Sequence, residues 1–315
     1  MTVETDVLGA PYTAETIRFP PDDEGPVVAT LVHRPAATPT RKAVLHVHGF
    51  ADYFFQTEYA EWWNARGYDF YAIDLRKYGR SLRDHQTANY VADLSEYYPD
   101  LDSAWHRITT RDGHDHVVAT AHSTGGLTLP LWADQRRPSE LAGMVLNSPW
   151  FDMHGHSLMR TAGTVAVKRL GLRQPMRELR RNVSGFYTRS LHRDHEGEWE
   201  FDLAWKPVQS WPVYAGWLRA IRNGHAQLHA GLDVGCPALV LSSGASAQPP
   251  AMGDDVHRHD VVLDVRQIRQ WAPAVGRHVT VVAVQDARHD VVLSLPEVRE
   301  RVYDEMSRWL TAYVD

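Results

Sequence analysis

A serine flanked by small residues stands where a predicted buried strand turns into a predicted helix. Residues 116–126 read His-Val-Val-Ala-Thr-Ala-His-Ser-Thr-Gly-Gly, and a helical pattern begins at Leu127. A strand that turns abruptly into a helix at a serine exposes the hydroxyl above the sheet, where it can act as a nucleophile. Such a turn needs small residues two positions before and after the serine. Gly125 meets this need, whereas Ala121 adds one methyl group to the usual glycine. We predict that Ser123 is a nucleophile; the alternative is an ordinary strand followed by a Gly-Gly helix start.

A nucleophilic serine needs a base that takes its proton, a group that orients the base, and donors for an oxyanion. The chain has 18 histidines, so the residue type alone selects none of them. His289 differs from the others in its placement, because it follows the last predicted strand (279–285) and precedes the last predicted helix (297–313). We therefore predict that His289 is the base.

The elements that must position these residues alternate between strands and helices. Apolar runs predict buried strands over residues 43–48, 68–75, 116–122, 143–148, 238–242 and 279–285, with helices between them, and two edge strands over 13–19 and 27–32. This order is typical of a mostly parallel sheet covered by helices on both faces. No strong strand is predicted between about 151 and 234. We predict a core formed by residues 1–150 and 233–315, and a helical cap over 151–232 that covers the carboxyl ends of the strands.

Composition limits the classes of partner. Acidic and basic residues are interspersed and the net charge is -6, so nothing indicates nucleic acid as a partner. The first residues lack a signal-peptide pattern, and no apolar run reaches the roughly 20 residues of a membrane helix. We expect a cytoplasmic protein with a small-molecule partner and no stable membrane insertion, and we leave a homodimer open. No phosphate or dinucleotide loop is present, so we expect no cofactor.

Three motifs in the same order resemble a known family. Residues 48–50 read His-Gly-Phe, residues 74–81 read Asp-Leu-Arg-Lys-Tyr-Gly-Arg-Ser, and residues 121–126 read Ala-His-Ser-Thr-Gly-Gly. They are similar to the His-Gly-x, Asp-x-Arg-Gly-x-Gly-x-Ser and Gly-His-Ser-x-Gly-Gly motifs of the monoacylglycerol lipase and lysophospholipase group of α/β hydrolases, which is related to serine aminopeptidases; Lys77 replaces one glycine. The resemblance implies an α/β-hydrolase fold, hydrolysis of lipid-like carboxylic esters, and an oxyanion hole formed by the main-chain amides of Phe50 and Thr124.

The acid that would orient His289 is displaced from the position that the resemblance implies. The family has a Gly-x-x-Asp-x-x-x-Asp pattern after the seventh strand, but residues 243–247 contain no carboxylate. The Asp-x-x-x-Asp step appears further on, at Asp260 and Asp264. We predict a loop insertion before this step, with Asp260 as the acid and Asp264 as a helix cap. Asp152, just after the sixth strand, is the alternative, and Asp254 and Asp255 are weaker candidates.

Further residues are candidates for contact with the substrate. They are Asp52, Tyr53, His122 and Trp150. Asp52 has an alternative role, which is to satisfy backbone donors at the start of its helix.

His-x-His pairs occur at 46 and 48, 114 and 116, 154 and 156, and 257 and 259. No cysteine or carboxylate cluster joins them at ligand spacing, so we predict no metal site.

The sequence also allows other functions on the same fold. One is a non-catalytic protein that binds a small molecule under the cap, which would predict a triad that fails to assemble. Another is a hydrolase of lactones, thioesters or carbon–carbon bonds, or an acyltransferase that excludes water.

Overall fold

One sheet runs through the molecule. The computed structural model describes residues 3–154, 157–180 and 183–315. Within these ranges nine strands are hydrogen-bonded in the order β1-β2-β3-β5-β4-β6-β7-β8-β9. They are β1 (Val3–Thr5), β2 (Thr13–Asp22), β3 (Gly25–Arg34), β4 (Lys42–Val47), β5 (Asp69–Asp74), β6 (His116–His122), β7 (Leu141–Asn147), β8 (Ala238–Ser243) and β9 (Val279–Val284). The strands from β5 to β9 in this order are parallel, while β1, β2 and β3 join antiparallel to β5. The predicted α/β sheet is confirmed.

Helices connect the strands and cover both faces. They are α1 (Thr57–Asn64), α2 (Tyr98–His106), α3 (Gly125–Arg136), α4 (Ser157–Arg173), α5 (Phe186–Leu191), α6 (Ala215–His229), α7 (Asp254–Arg258), α8 (Val265–Trp271) and α9 (Pro296–Tyr313). None of the helices in the described ranges combines the length and the apolar character needed to cross a bilayer.

Two details differ from the sequence-based expectation. The strands predicted at the edge are the second and third of the sheet, because the short β1 pairs outside β2. The three residues of β1 are all exposed, so no alternating pattern marked them. The sequence pattern predicts a first helix around residues 54–66, but α1 begins at Thr57, because the amide of buried Phe54 donates to Asp74 Oδ1 at 3.1 Å. The aromatic residues 53–55 before α1 therefore lie outside the helix.

The central strands are buried on both faces. Leu45 and Val47 of β4 belong to the hydrophobic cluster on one face, and Val44 belongs to the cluster on the other face. Such strands contribute continuous apolar runs, which is why the sequence revealed them clearly. The carboxyl ends of β4, β6 and β8 therefore have a rigid base.

The chain between β7 and β8 carries α4, α5 and α6, and none of its described residues joins the sheet. Its large buried apolar side chains belong to the same clusters as the sheet. Trp217 and Ile221 of α6 lie in one cluster, and Leu191 and Phe201 lie in the other. Within the described ranges this segment therefore packs onto the sheet core and forms no hydrophobic cluster of its own.

Candidate active site

Ser123 lies in a tight turn between β6 and α3. Its φ is 52°, in the left-handed region that non-glycine residues rarely adopt. A Cβ atom on Gly125 would lie 2.4 Å from the carbonyl oxygen of His48, so only glycine fits there. Ala121, by contrast, pairs with Val47 and Leu146 and is 1% exposed, so its methyl group is accommodated in the core. The local geometry is that of a nucleophile elbow.

His289 lies between Ser123 and Asp260. Its Nε2 is 3.1 Å from Ser123 Oγ, and its Nδ1 is 2.9 Å from Asp260 Oδ2. All three side chains are buried. When Nδ1 donates its proton to the carboxylate, the Nε2 lone pair faces the serine hydroxyl, which is the tautomer that a general base needs. The three residues selected from the sequence thus lie in one hydrogen-bonded row.

Asp260 reaches this row because the chain forms a loop after β8 and returns beside the start of that loop. The amide of Asp260 donates to Ala245 O at 3.0 Å, and the amide of Ala247 donates to Asp260 O at 3.0 Å. The loop between these contacts contains α7. The Asp260 side chain is fixed in turn, because its Oδ1 accepts hydrogen bonds from the amides of Val262 and Leu263 at 2.8 and 2.7 Å.

The other carboxylates considered for this role have different partners or positions. Asp152 forms an ion pair with Arg222 of α6 and accepts a hydrogen bond from Met153 N at 2.8 Å. Burial disfavours its ionised form, but these partners outweigh burial and lower the pKa of Asp152 below its usual value. Asp254 and Asp255 lie exposed on α7.

The prediction that Asp264 caps a helix is confirmed, because its Oδ1 accepts from Arg266 N at the start of α8.

The turn after β4 lies against the serine. A Cβ atom on Gly49 would lie 3.1 Å from Ser123 Cβ, so the two turns touch. Ala51 has a φ of 50° and its amide donates to Asn89 Oδ1 at 3.0 Å, which fixes the turn just beyond Phe50. On the other side of the serine, Thr124 is the residue before the first turn of α3. Helix N-termini stabilise negative charge, as an oxyanion hole requires.

His48 braces the same turn. Its Nδ1 lies 2.8 Å from Gly49 O, and its Nε2 accepts a hydrogen bond from Leu75 N at 3.0 Å. These contacts fix the carboxyl end of β4 and the turn that follows it, and they occupy both ring nitrogens.

Asp52 is enclosed by protein groups. It is 1% exposed, its Oδ1 is 2.7 Å from Lys206 Nζ, and its Oδ2 is 3.2 Å from His122 Nδ1. Burial alone would raise the pKa of the Asp52 carboxyl, but Lys206 and His122 reverse this and hold the pKa well below its usual value. The contacts favour an internal role for Asp52 and His122 over the contact with substrate that the sequence suggested.

Tyr53 and Trp150 differ in their surroundings. Tyr53 is buried, and its Oη accepts a hydrogen bond from Asp202 N at 2.6 Å. Trp150 is half-buried and its ring centroid lies 6.0 Å from that of Trp217, which in turn lies 4.4 Å from that of Phe50. Trp150 also donates its amide to Ser123 O at 2.9 Å. The rings of Phe50, Trp150 and Trp217 thus form one aromatic group, here called the aromatic wall, and the main chain of Trp150 joins it to Ser123.

Two residues near the triad were missed in the sequence. Tyr187 of α5 contacts the His289 ring edge-on at a centroid distance of 5.3 Å, and burial raises the pKa of Tyr187 well above its usual value. Lys206 lies in the segment between α5 and α6 and is 3% exposed. Its one sequence signal is rarity, because only four lysines occur in the chain. No pattern ties either residue to a turn about 150 positions earlier.

Within the described ranges, no three His, Cys, Asp or Glu side chains are grouped as metal ligands. His156, one member of the His-x-His pairs, lies outside those ranges.

The parallel sheet with a serine elbow at the end of a central strand defines an α/β hydrolase. Residues 38–247 match the family model described as serine aminopeptidase, S33, and the chain belongs to this family. The resemblance drawn from the three motifs is thus confirmed. A sequence search among curated proteins finds none that matches.

Solved structures show the same fold at low sequence identity. A monoglyceride lipase from Saccharomyces cerevisiae is 16% identical, with a TM-score of 0.67 over 96% of each chain. The monoacylglycerol lipase of Paleococcus ferrophilus is 20% identical, with a TM-score of 0.64 over 90% of this chain and 98% of that one. A carboxyl esterase from Bacillus coagulans is 14% identical, with a TM-score of 0.65 over 96% of this chain and 99% of that one.

Proposed function

We propose that the protein is a serine hydrolase that cleaves carboxylic esters through an acyl-enzyme on Ser123. The observation that carries the proposal is the position of His289. Its Nε2 lies 3.1 Å from Ser123 Oγ, and its Nδ1 lies 2.9 Å from Asp260 Oδ2. Family membership and the lipase and esterase folds among similar structures support an ester as the substrate.

The proposed reaction begins when Ser123 Oγ attacks the ester carbonyl carbon while His289 Nε2 takes the hydroxyl proton. Asp260 keeps the ring in the required tautomer and stabilises the imidazolium. The carbonyl oxygen becomes negative and accepts hydrogen bonds from the amides of Phe50 and Thr124. The intermediate collapses, the ester C–O bond breaks, and His289 returns the proton to the departing alcohol.

Water completes the cycle. The water oxygen attacks the acyl carbon while His289 Nε2 takes a proton from the same water molecule. The second intermediate collapses to a carboxylic acid, and Ser123 Oγ recovers its proton from His289. All steps use protein groups and water, and no cofactor is needed for the proposed chemistry.

We further propose a monoester with an apolar acyl chain as the substrate. The aromatic wall formed by Phe50, Trp150 and Trp217 supports this choice, because aromatic side chains provide large apolar contact areas. Residues 151–232 are proposed to act as the cap that selects the acyl chain, since they follow β7 at the edge of the sheet where Ser123 lies. Asp52, Tyr53 and His122 are proposed to support the site from within the protein, without contacting the substrate. Cytoplasmic location and a homodimer stay predictions from the sequence.

A fluorophosphonate reaction tests the proposal. We expect one covalent adduct in the intact mass of the wild-type protein, none in folded Ser123→Ala, and turnover of at least one p-nitrophenyl ester between acetate and palmitate. Ser123→Ala should lower ester turnover by several powers of ten, because the triad acts as a unit. An adduct on another residue, or no adduct with the folded wild type, would support the non-catalytic binding protein instead. Thioester and lactone substrates in the same assay distinguish the other hydrolase activities, and added alcohols detect acyl transfer.

A further inference from the structure

A buried ion pair joins the segment between α5 and α6 to residues 48–52, the turn after β4 that carries the proposed oxyanion donor Phe50 and is here called the oxyanion turn. Lys206 Nζ lies 2.7 Å from Asp52 Oδ1, and the two side chains are 4% and 1% exposed. The ammonium also lies over the rings of Tyr187 and Phe55, at 5.3 and 5.7 Å from their centroids. Lys206 therefore sits in an enclosed site whose negative charge comes from Asp52.

The second oxygen of Asp52 faces the catalytic turns. Asp52 Oδ2 accepts a hydrogen bond from Gly49 N at 3.4 Å and lies 3.2 Å from His122 Nδ1. Gly49 directly precedes Phe50, and His122 directly precedes Ser123. A single carboxylate thus contacts the residue before the proposed oxyanion donor and the residue before the proposed nucleophile.

Lys206 is the charged end of a wider contact. Residues 201–206, here called the docking segment, pack on residues 52–55. The Phe201 ring lies 4.6 Å from the Phe55 ring, and the Trp205 ring lies edge-on to Tyr53 at 5.1 Å. The hydrogen bond from the Asp202 amide to Tyr53 Oη further links the backbone of the docking segment to the Tyr53 side chain. Residues 52–55 are therefore held in part by the docking segment, in addition to the bond from Phe54 N to Asp74.

Stability alone does not account for a charged pair here. Taking an ammonium and a carboxylate out of water costs free energy that their attraction only partly offsets, and apolar side chains of similar volume are often as stable. The surroundings of Lys206 are largely aromatic and would accept such a side chain. What the ammonium adds is direction, because it fixes one oxygen of Asp52 and leaves the other aimed at Gly49 and His122.

We propose that Lys206 is a positioning residue, which acts through Asp52 to hold the oxyanion turn in its active geometry only while the docking segment is seated. The inference rests on the proposed serine-hydrolase function. Without the ammonium, the buried Asp52 carboxylate takes up a proton or turns toward another donor, and Gly49 N loses its acceptor. The Phe50 amide then moves away from the position in which it meets the oxyanion.

The test compares Lys206→Met with Arg107→Met. Arg107, which follows α2, pairs with Glu15 of β2 in a second shielded ion pair, with side-chain exposures of 12% and 5%. Glu15 also contacts Arg111, so it keeps one cationic partner in the control variant. For Lys206→Met we expect kcat for p-nitrophenyl acetate and the rate of phosphonylation to fall about 10-fold or more, because small misplacements of oxyanion donors are costly. KM should stay within about twofold, since ground-state binding is unaffected.

Arg107→Met should lower the melting temperature and leave kcat unchanged. Equal kcat in Lys206→Met and wild type, with a lowered melting temperature, would overturn the inference.

The double variant Asp52→Asn/Lys206→Met separates positioning from charge compensation. It removes both charges, so we expect its stability to exceed that of Lys206→Met. Its kcat should stay about 10-fold below wild type, because no ammonium orients residue 52. Recovery of the wild-type kcat in this variant would show that Lys206 only neutralises Asp52. A wild-type protein without any phosphonate adduct would remove the proposed function itself, whereas an adduct formed equally fast in Lys206→Met removes only the role of Lys206.

Discussion

The amide of Asp260 donates a hydrogen bond to the carbonyl oxygen of Ala245 at 3.0 Å, although the two residues are separated by a loop that carries its own short helix, α7. The contact closes the loop at its base, so that Asp260 occupies a place directly beside the end of β8. Closing a longer loop costs little additional entropy, since the cost rises with the logarithm of its length. An insertion can therefore displace a carboxylate along the sequence without displacing it in space.

Asp260→Asn and Asp152→Asn should have separate effects. Asparagine at 260 presents its amide to His289 and favours the wrong tautomer, so we expect kcat to fall by about 10³–10⁴-fold. Asparagine at 152 loses the ion pair with Arg222, and we expect lower stability with kcat within about threefold of wild type. Ester kinetics and urea denaturation of both variants check this. Near-normal turnover in Asp260→Asn with loss of turnover in Asp152→Asn would reverse the assignment.

The elbow shows which parts of the site could be predicted from the sequence. Its strand, turn and helix are consecutive, so the demand for a small residue at Gly125 is visible in the sequence itself. His289 was found because the order of strands limits where a base can stand. Asp260 was predicted because its spacing to Asp264 matches the Asp-x-x-x-Asp step of the family that the chain resembles. A short motif or the order of the elements carried the information in each case.

Gly125→Ala should disrupt the elbow. The new methyl group would lie 2.4 Å from His48 O and 2.7 Å from Val47 O, both backbone atoms that cannot move freely. Overpacking of this kind costs about 1–3 kcal/mol, and the shift of β4 against α3 should abolish turnover. Gly163→Ala in α4 is the control, because nothing lies within 4 Å of its added methyl group. Alanine should stabilise that helix by up to about 1 kcal/mol. Thermal unfolding and ester turnover test both, and a fully active Gly125→Ala would contradict this account of the turn.

Acid should destabilise the fold before most carboxylates titrate. His46 is buried, its Nδ1 lies 2.9 Å from Thr120 Oγ1, and burial lowers the pKa of His46 to about 4. The unfolded chain binds a proton at this residue below about pH 6.5, whereas the folded chain stays neutral there down to about pH 4. Its contribution to stability therefore falls as pH drops through this window, by about 1.4 kcal/mol per pH unit.

Urea denaturation between pH 7.5 and 4.5 measures this effect. The His46→Leu variant should lose less stability than wild type over the same range. The slopes of the unfolding free energy against pH should differ by about 1.4 kcal/mol per pH unit below pH 6.5. Above pH 6.5 the two curves should run parallel. Identical slopes below pH 6 would mean that His46 is protonated in the folded protein.

Trp217 and Trp199 should differ in their effect on substrate choice. Trp217 of α6 contacts Phe50, whereas Trp199 donates its Nε1 to Leu293 O at 3.2 Å and packs under Arg299. We expect Trp217→Leu to shift the preferred acyl length of p-nitrophenyl esters, because the aromatic wall changes shape. Trp199→Leu should lower stability by about 1–3 kcal/mol and leave the preference unchanged. Phosphonylation of Ser123 by a small reagent should persist in both. An unchanged length profile in Trp217→Leu would assign specificity to the other two residues of the wall, Phe50 and Trp150.

The contacts that the sequence did not reveal join residues far apart in the chain. Lys206 meets Asp52, and Arg222 meets Asp152, through side chains whose own neighbourhoods carry no period or motif. Ion pairs of this kind depend on how α5 and α6 lie on the sheet, which local propensity does not determine. The short β1 was missed for a different reason: its three residues are all exposed, so they carry no apolar pattern.

The order of the strands also bears on how the chain is made. β7 ends at Asn147 and its neighbour β8 begins at Ala238, so roughly 90 residues separate two adjacent parallel strands. At the usual pace of about 5–20 residues per second, the ribosome needs about 5–20 s to add them. During that interval β7 is a long apolar edge with unpaired backbone groups, which is a template for aggregation. The nascent chain thus passes through a stage in which a chaperone bound at this edge would protect it.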